Sequence, residues 1–146
     1  LLIDLFPNDI LDLIKKVDIF LLNDEEAMQL TGLNDLEEIA DQFLSYGPQI
    51  IIIKKGEKGS LVAFKNKKIN ISVVPNTEVF DPTGAGDSFA GGVLGYIAKY
   101  GSDDPVEAVI HGTVIASYTV SGFGLEKLCK INNEDFDNKI KEIKIN

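Results

Sequence analysis

The sequence predicts a three-layer α/β domain. Three observations carry this: helical periodicities alternate with short apolar strands through the first half, a run of four isoleucines reads as a buried central strand, and helices close the chain. The sheet is expected to be mainly parallel, with one β-hairpin. A length of 146 residues, 45% hydrophobic and 25% charged, suits one domain with a real core.

Residues 9–16 carry Ile10, Leu13 and Ile14 at helical spacing, continued by Val17, a short amphipathic helix. The apolar run 18–22 reads as a buried strand, and Asn23 opens a helix over 24–30 that Gly32 ends. Asn34 or Asp35 caps the next helix, with Leu36, Ile39, Ala40, Phe43 and Leu44 inward, and Gly47-Pro48 stops it. Ile50-Ile51-Ile52-Ile53 is the most strand-like stretch, and burial on both faces places it inside a sheet. A strand over 60–64 turns at 65–68 into a hairpin partner over 69–74. After a connection, a helix over 87–100 sets Phe89, Ala90, Val93, Leu94, Ile97 and Ala98 on one side. Its interior glycines, Gly91, Gly92 and Gly95, each cost about 1 kcal/mol against Ala, so a backbone or a ligand is expected to approach them closely. Asp103 or Asp104 caps a helix with Pro105 at its first position, running to Val120 and broken by 121–124. Asn132 or Asn133 starts a terminal helix with Phe136, Ile140 and Ile143 inward.

The net charge is −9, and no Lys/Arg stripe interleaves with aromatics, so nucleic acid is not an expected partner. No apolar run approaches the ~18 residues of a membrane span. The single cysteine, Cys129, has no neighbouring His or second Cys, which suits a reducing, cytoplasmic setting and an inert thiol. The opening Leu1-Leu2-Ile3-Asp4-Leu5 has no basic region before it and does not read as a signal peptide. Without an initiator Met and starting in mid-element, the chain is expected to be the later part of a longer protein.

The chemistry concentrates at 81–87. Gly84 and Gly86 let the backbone turn tightly and present amides at a helix N-terminus, where the dipole and unpaired N–H groups favour an anion. Asp87 then stands as a carboxylate beside an oxyanion pocket, which suggests a base beside a phosphoryl site. The plainer reading is a turn that joins two elements, with Asp87 as a helix cap. Walker A spacing fails because no Lys follows these glycines, and the dinucleotide fingerprint fails because Phe89 takes its third glycine. Asn23-Asp24-Glu25-Glu26 is close to a capping box and equally suits Glu26 near a Mg²⁺ shell at a strand's C-terminal end. The 54–59 segment fits a charged hairpin turn. His111, in an apolar helix with no partner motif, favours packing over catalysis. No Cys/His cluster offers a transition-metal site.

Asp81-Pro82-Thr83-Gly84-Ala85-Gly86-Asp87-Ser88-Phe89-Ala90-Gly91-Gly92 resembles the C-terminal signature of the ribokinase-like, or PfkB, carbohydrate kinase family, D-[TP]-T-G-A-G-D-[ST]-F, and departs from it nowhere. Asn23-Asp24-Glu25-Glu26 is similar to the family's N-x-x-E motif, and Lys54-Lys55-Gly56-Glu57-Lys58-Gly59 to its G-x-x-G turn. The segments 112–117 and 123–128 resemble a subgroup of uncharacterised bacterial sugar kinases.

The resemblance implies a ribokinase-like, Rossmann-like αβα fold, of which residues 1–146 form the C-terminal nucleotide-binding and catalytic part. It implies transfer of the ATP γ-phosphoryl to a sugar hydroxyl, with a nucleoside kinase of the same superfamily or a non-catalytic nucleotide-binding module as alternatives. Asp87 is then the base, and the amides of Gly84, Ala85, Gly86 and Asp87 form the anion hole. Asn23 and Glu26 hold Mg²⁺ and phosphate through water. Lys54, Gly56 and Gly59 shape the nucleotide edge, and 120–124, with Gly122, borders the adenine. Asp81 and Thr83 belong to a monovalent-cation (K⁺) site found in many relatives, though not in all. Family members are about twice as long, and their N-terminal half carries most sugar contacts, the lid and the usual homodimer contacts. By that comparison the chain alone is expected to be inactive.

Overall fold

The computed structural model describes residues 7–146, and the apolar opening over 1–5 lies outside them. The chain forms two compact units that divide between Asn70 and Ile71.

The first unit is built on β1 (Ile19–Asn23), β2 (Ile50–Lys54), β3 (Ser60–Phe64) and β4 (Lys67–Ile71), in the spatial order β1-β2-β3-β4, with β4 reaching the boundary. β1 and β2 run parallel, with Ile19 opposite Ile50 and Asn23 opposite Lys54. β3 runs antiparallel to β2, with Lys54 opposite Ser60. The sheet is therefore mixed: its parallel part is the β1–β2 pair, and its hairpin is β3–β4. β2 lies inside the sheet and all four isoleucines are buried, as their β-branched run predicts. β1 is less buried than expected, with only Leu22 fully enclosed, because it is the edge strand of the described sheet.

Alternation along the strands sends Ile51, Ile53, Leu61 and Ala63 into one core with Leu22, Ala27, Ile39 and Phe43. Ala27 comes from α2 (Asp24–Thr31), which ends at left-handed Gly32. Ile39 and Phe43 come from α3 (Leu36–Tyr46), whose cap Asp35 accepts from the Glu37 and Glu38 amides at 2.8 and 3.1 Å. Phe43 meets Phe20 edge-on, with ring centroids 5.3 Å apart. α1 (Pro7–Ile14) begins and ends two residues before its expected limits, burying Ile14 but leaving Leu13 exposed. The hairpin also tightens. Lys65 and Asn66 both take positive φ, a two-residue turn that matches strand twist. β4 therefore starts at Lys67 rather than Ile69 and stops at Ile71.

The second unit centres on two helices, α4 (Ala85–Tyr100) and α5 (Pro105–Val120). Asp104 caps α5 by accepting from the Glu107 amide at 3.1 Å, with Pro105 at the first position as expected. The two helices meet glycine against glycine. A Cβ on Gly92 would lie 2.7 Å from Gly112 Cα, and one on Gly112 would lie 2.7 Å from both Phe89 O and Val93 Cγ2. Gly92 thus admits the close backbone that its helix position predicts, whereas Cβ atoms on Gly91 and Gly95 would meet nothing within 4 Å. This crossing also selects the buried stripe of α4. Phe89 and Val93 are enclosed, while Leu94 is 57% exposed and Ala98 lies open, against expectation.

α6 (Asn133–Glu142) is capped by Asn132. Its Phe136 and Ile140, with Ile143, pack on Val74, Val114 and Tyr118. Tyr118 donates to Asp135, and burial first, then this bond, raises its phenol pKa. His111 packs between the Tyr96 and Phe136 rings, with Nδ1 2.9 Å from Glu107 O, in keeping with the packing reading. Cys129 is exposed. Among the described residues no helix is long and apolar enough to cross a membrane.

The glycine crossing makes opposite outcomes testable on neighbouring residues. Gly112→Ala forces a Cβ into backbone and should destabilise the chain by ~1–3 kcal/mol through overpacking. Gly91→Ala enters open space and should stabilise by up to about 1 kcal/mol through helix propensity. Thermal melts of the two variants check this; equal shifts of the same sign would remove the close crossing as their cause.

Candidate functional site

In the first unit, five of the residues singled out by sequence gather at one end of the sheet. β1 and β2 finish side by side at Asn23 and Lys54, the carboxyl ends of a parallel pair, where open α/β sheets bind ligands. Asn23 ends the strand and caps α2 in the same residue. Its Oδ1 accepts from Glu26 N at 2.7 Å, and Glu26 Oε2 accepts from Asn23 N at 2.9 Å. The capping box is therefore complete. It engages Glu26 through Oε2, leaving Oε1 outside the reciprocal pair.

Lys54 is followed by the 54–59 turn, a single 3₁₀ turn (Gly56–Lys58) between β2 and β3. Gly56 and Gly59 both take positive φ, 57° and 83°. Lys55 N donates to Gly59 O at 2.7 Å and Gly59 N to Gly56 O at 3.1 Å. Lys55 Nζ reaches back to Asn70 Oδ1 at 2.5 Å, and burial pushes its ammonium pKa down. Beside Lys54, the Ser60 hydroxyl is buried and has no hydrogen-bond partner among the described residues.

In the second unit, α5's last turn organises the 81–87 segment. Val120 O accepts from both Phe80 N, at 2.7 Å, and Asp81 N, at 3.1 Å, fixing the chain as it enters the turn. Asp81 Oδ1 accepts from Thr83 N at 2.9 Å, a local Asx-type turn. That backbone donor, then the Thr83 side chain, holds the Asp81 carboxyl below its usual range. Gly84 turns left-handed at φ 78°, a conformation open to glycine without strain, and stands as the N-cap of α4. The helix consequently begins at Ala85, two residues before the expected start.

This start revises two readings. Asp87 occupies the third helical position and makes no capping bond, so the turn does not use it as a cap. Of the four amides expected to face an anion, Ala85 N–H is engaged, donating to Pro82 O at 3.1 Å. The amides of Gly84, Gly86 and Asp87 meet no protein acceptor among the described residues. Asp87 is exposed.

Gly122 is buried at the end of α5, where an added Cβ would come 2.6 Å from Lys127 Cγ. Sequence reasoning missed Thr119 and the use of Ser88. Thr119 Oγ1 donates to Ser88 Oγ at 2.8 Å, and Ser88 Oγ donates to Gly84 O at 2.8 Å. Thirty-one positions separate Ser88 from Thr119, so no local pattern announces the pair.

Among the described residues no group of three or more His, Cys, Asp or Glu could hold a metal ion. The donor set fits a different kind of ion. Mg²⁺ keeps most of its waters and takes one or two carboxylates plus phosphate oxygens, which the single Glu26 carboxylate beside Asn23 can supply.

The sequence matches the family described as pfkB family carbohydrate kinase over residues 2–131. It is 30% identical to a nucleoside kinase of Methanocaldococcus jannaschii over 92% of this chain and 41% of that protein. It is 31% identical to a ribokinase of Staphylococcus aureus over 82% of this chain and 40% of that protein. A fructokinase of Vibrio cholerae, solved in a fructose, ADP and calcium ion bound form, shares the fold with TM-score 0.80 at 22% identity, covering 94% of this chain and 45% of that one. The chain spans less than half the length of each of these proteins.

The Asx-type turn has a pH signature. Because the folded Asp81 pKa is depressed, its contribution is complete above the unfolded value of about 3.9. That contribution is lost as pH falls through the lower folded value. Carboxyl titration by NMR should find Asp81 below the ordinary range. Thr83→Val, which keeps the backbone donor, should leave it depressed, though by less. An ordinary Asp81 titration in the parent would mean that the turn does not form in solution.

Proposed function

The chain belongs to the pfkB family of carbohydrate kinases, and on that premise we propose that it supplies the nucleotide-binding and catalytic part of an ATP-dependent sugar kinase. The carrying observation is the 81–89 segment: an uninterrupted family signature, folded as a left-handed turn opening α4, with unpaired amides beside an uncommitted carboxylate. Kinases of this family are phosphotransferases, and the ADP bound by the fructokinase of the same fold supports ATP as the donor.

In this reading the acceptor hydroxyl oxygen forms a bond to the γ-phosphorus as the bond to the β,γ-bridging oxygen breaks, releasing ADP. Asp87 takes the hydroxyl proton. It stands free for this because Gly84, not Asp87, occupies the capping position. The amides of Gly84, Gly86 and Asp87 receive the negative charge that develops on the transferring group, a preorganised donor set of the kind that dominates phosphoryl transfer. Ala85 contributes through its bond to Pro82, which shapes the turn, rather than as a donor to the anion. Glu26 and Asn23 orient hydrated Mg²⁺, which when bound neutralises phosphate charge. Lys54, Gly56 and Gly59 border the nucleotide, as does Gly122 at the adenine. Asp81, held ionised, suits K⁺ together with Thr83. Most sugar contacts then lie outside this chain, consistent with its share of the relatives' length.

A nucleoside acceptor is the second reading, favoured by the nucleoside kinase that matches over 92% of the chain. ATP turnover against a panel of sugars and nucleosides in the full-length kinase separates the two. A non-catalytic nucleotide-binding module would have no use for a free base at Asp87.

Asp87→Ala in that kinase should lower kcat by about 10²–10⁴-fold, the usual scale for a general base, with ATP affinity largely intact. A kcat near the parent's would assign the base elsewhere. Glu26→Gln preserves the capping box, because Gln also closes it, so Tm should hold while the Mg²⁺ concentration for half-maximal activity rises. An unchanged Mg²⁺ titration would leave Glu26 with the cap alone.

A further inference from the structure

We infer that Thr119 is a positioning residue for the 84–87 turn, acting through Ser88 on the backbone of Gly84. The inference rests on the reading of that turn as a phosphoryl site. Thr119 lies in the last turn of α5, is 4% exposed, and places its hydroxyl 2.8 Å from Ser88 Oγ and 3.3 Å from Ile115 O. A threonine hydroxyl has one proton, and the nearer acceptor, Ser88 Oγ, receives it. Ser88's own proton then goes to Gly84 O at 2.8 Å, where the Ser88 amide also donates at 2.9 Å. Both lone pairs of that carbonyl are therefore used.

The consequence reaches the amides. The peptide joining Gly84 to Ala85 is planar and trans, so fixing its carbonyl also fixes the Ala85 N–H on the opposite edge. There Pro82 O accepts it at 3.1 Å. One peptide plane is thus pinned on both edges, and the next two amides, Gly86 and Asp87, are left without acceptors among the described residues. Without the Thr119 proton, Ser88 Oγ loses the donor that holds its rotamer toward Gly84. The Thr119 methyl stands beside Gly84, its Cγ2 3.9 Å from where a Gly84 Cβ would be, and a hydroxyl relay and a space-filling methyl predict different substitutions.

The test uses the ¹⁵N-labelled 146-residue chain titrated with inorganic phosphate, followed at the Gly86 and Asp87 amides. Thr119→Val keeps the shape and removes the relay, and should weaken phosphate binding about fivefold or more, the scale of one lost hydrogen bond. Thr119→Ser keeps the relay and removes the methyl, and should bind within about twofold of the parent while melting lower than Thr119→Val. If Thr119→Val does not fold, Ser88→Ala interrupts the same relay and must show the same loss. Parent-like binding by Thr119→Val, or by Ser88→Ala where that variant stands in, overturns the inference alone, as does a loss in Thr119→Ser equal to that in Thr119→Val. Parent amides that do not respond to phosphate overturn it together with the phosphoryl reading of the turn.

Discussion

The left-handed conformation of Gly84 is the constraint on which the second unit's candidate site depends. A residue at φ 78° reverses the chain's direction just before α4, and its carbonyl becomes the first acceptor of the helix. Because the cap is a glycine with no side chain, the first turn of α4 is not closed by a capping group. The helix N-terminus therefore keeps unpaired donors that an ordinary Ser or Asp cap would have occupied. Everything around it serves that geometry. Val120 holds the incoming segment, Asp81 ties down Thr83, and Ser88 grips the Gly84 carbonyl.

The first unit solves a similar problem in the opposite way. At the carboxyl end of β1, Asn23 and Glu26 close a full capping box, so the Asn23 and Glu26 amides are satisfied internally. What remains available there is side-chain charge rather than backbone amides: one oxygen of Glu26 outside the box, and the Lys54 ammonium on the adjacent strand end. A closed cap with a spare carboxylate oxygen suits a hydrated cation, and an open cap with spare amides suits an anion.

Much of this was legible in the sequence where the governing physics is local. Asp35, Asp104 and Asn132 cap as their residue types and spacing predict, Gly32 ends its helix, and the isoleucine run is the enclosed inner strand. The Asp81–Phe89 signature was equally plain. Local reasoning erred at the start of α4, which it placed at Asp87, and the plainer of its two readings of that residue, a helix cap, gives way to a left-handed glycine three residues earlier. It also spread β4 too far along, since the Lys65-Asn66 turn needs no more than two residues. The apolar face of α4 was drawn from periodicity, which marks Leu94 and Phe89 alike and carries no knowledge of which side α5 would cover.

The sequence by itself determined which residues are available to the proposed chemistry: the order of motifs, the identities of Asn23, Glu26 and Asp87, and the glycines that permit tight backbone. These follow from short-range sterics and capping preferences that neighbours along the chain decide. The tertiary structure alone decided how those residues are used. Ala85's amide is engaged, Asp87 stands free, Gly92 rather than Gly91 or Gly95 meets a second helix, and Thr119 reaches Ser88 across thirty-one positions. Those outcomes depend on which surfaces of two helices come into contact. That contact is set by close packing between segments distant in sequence, about which a one-dimensional pattern of residue types carries no distance.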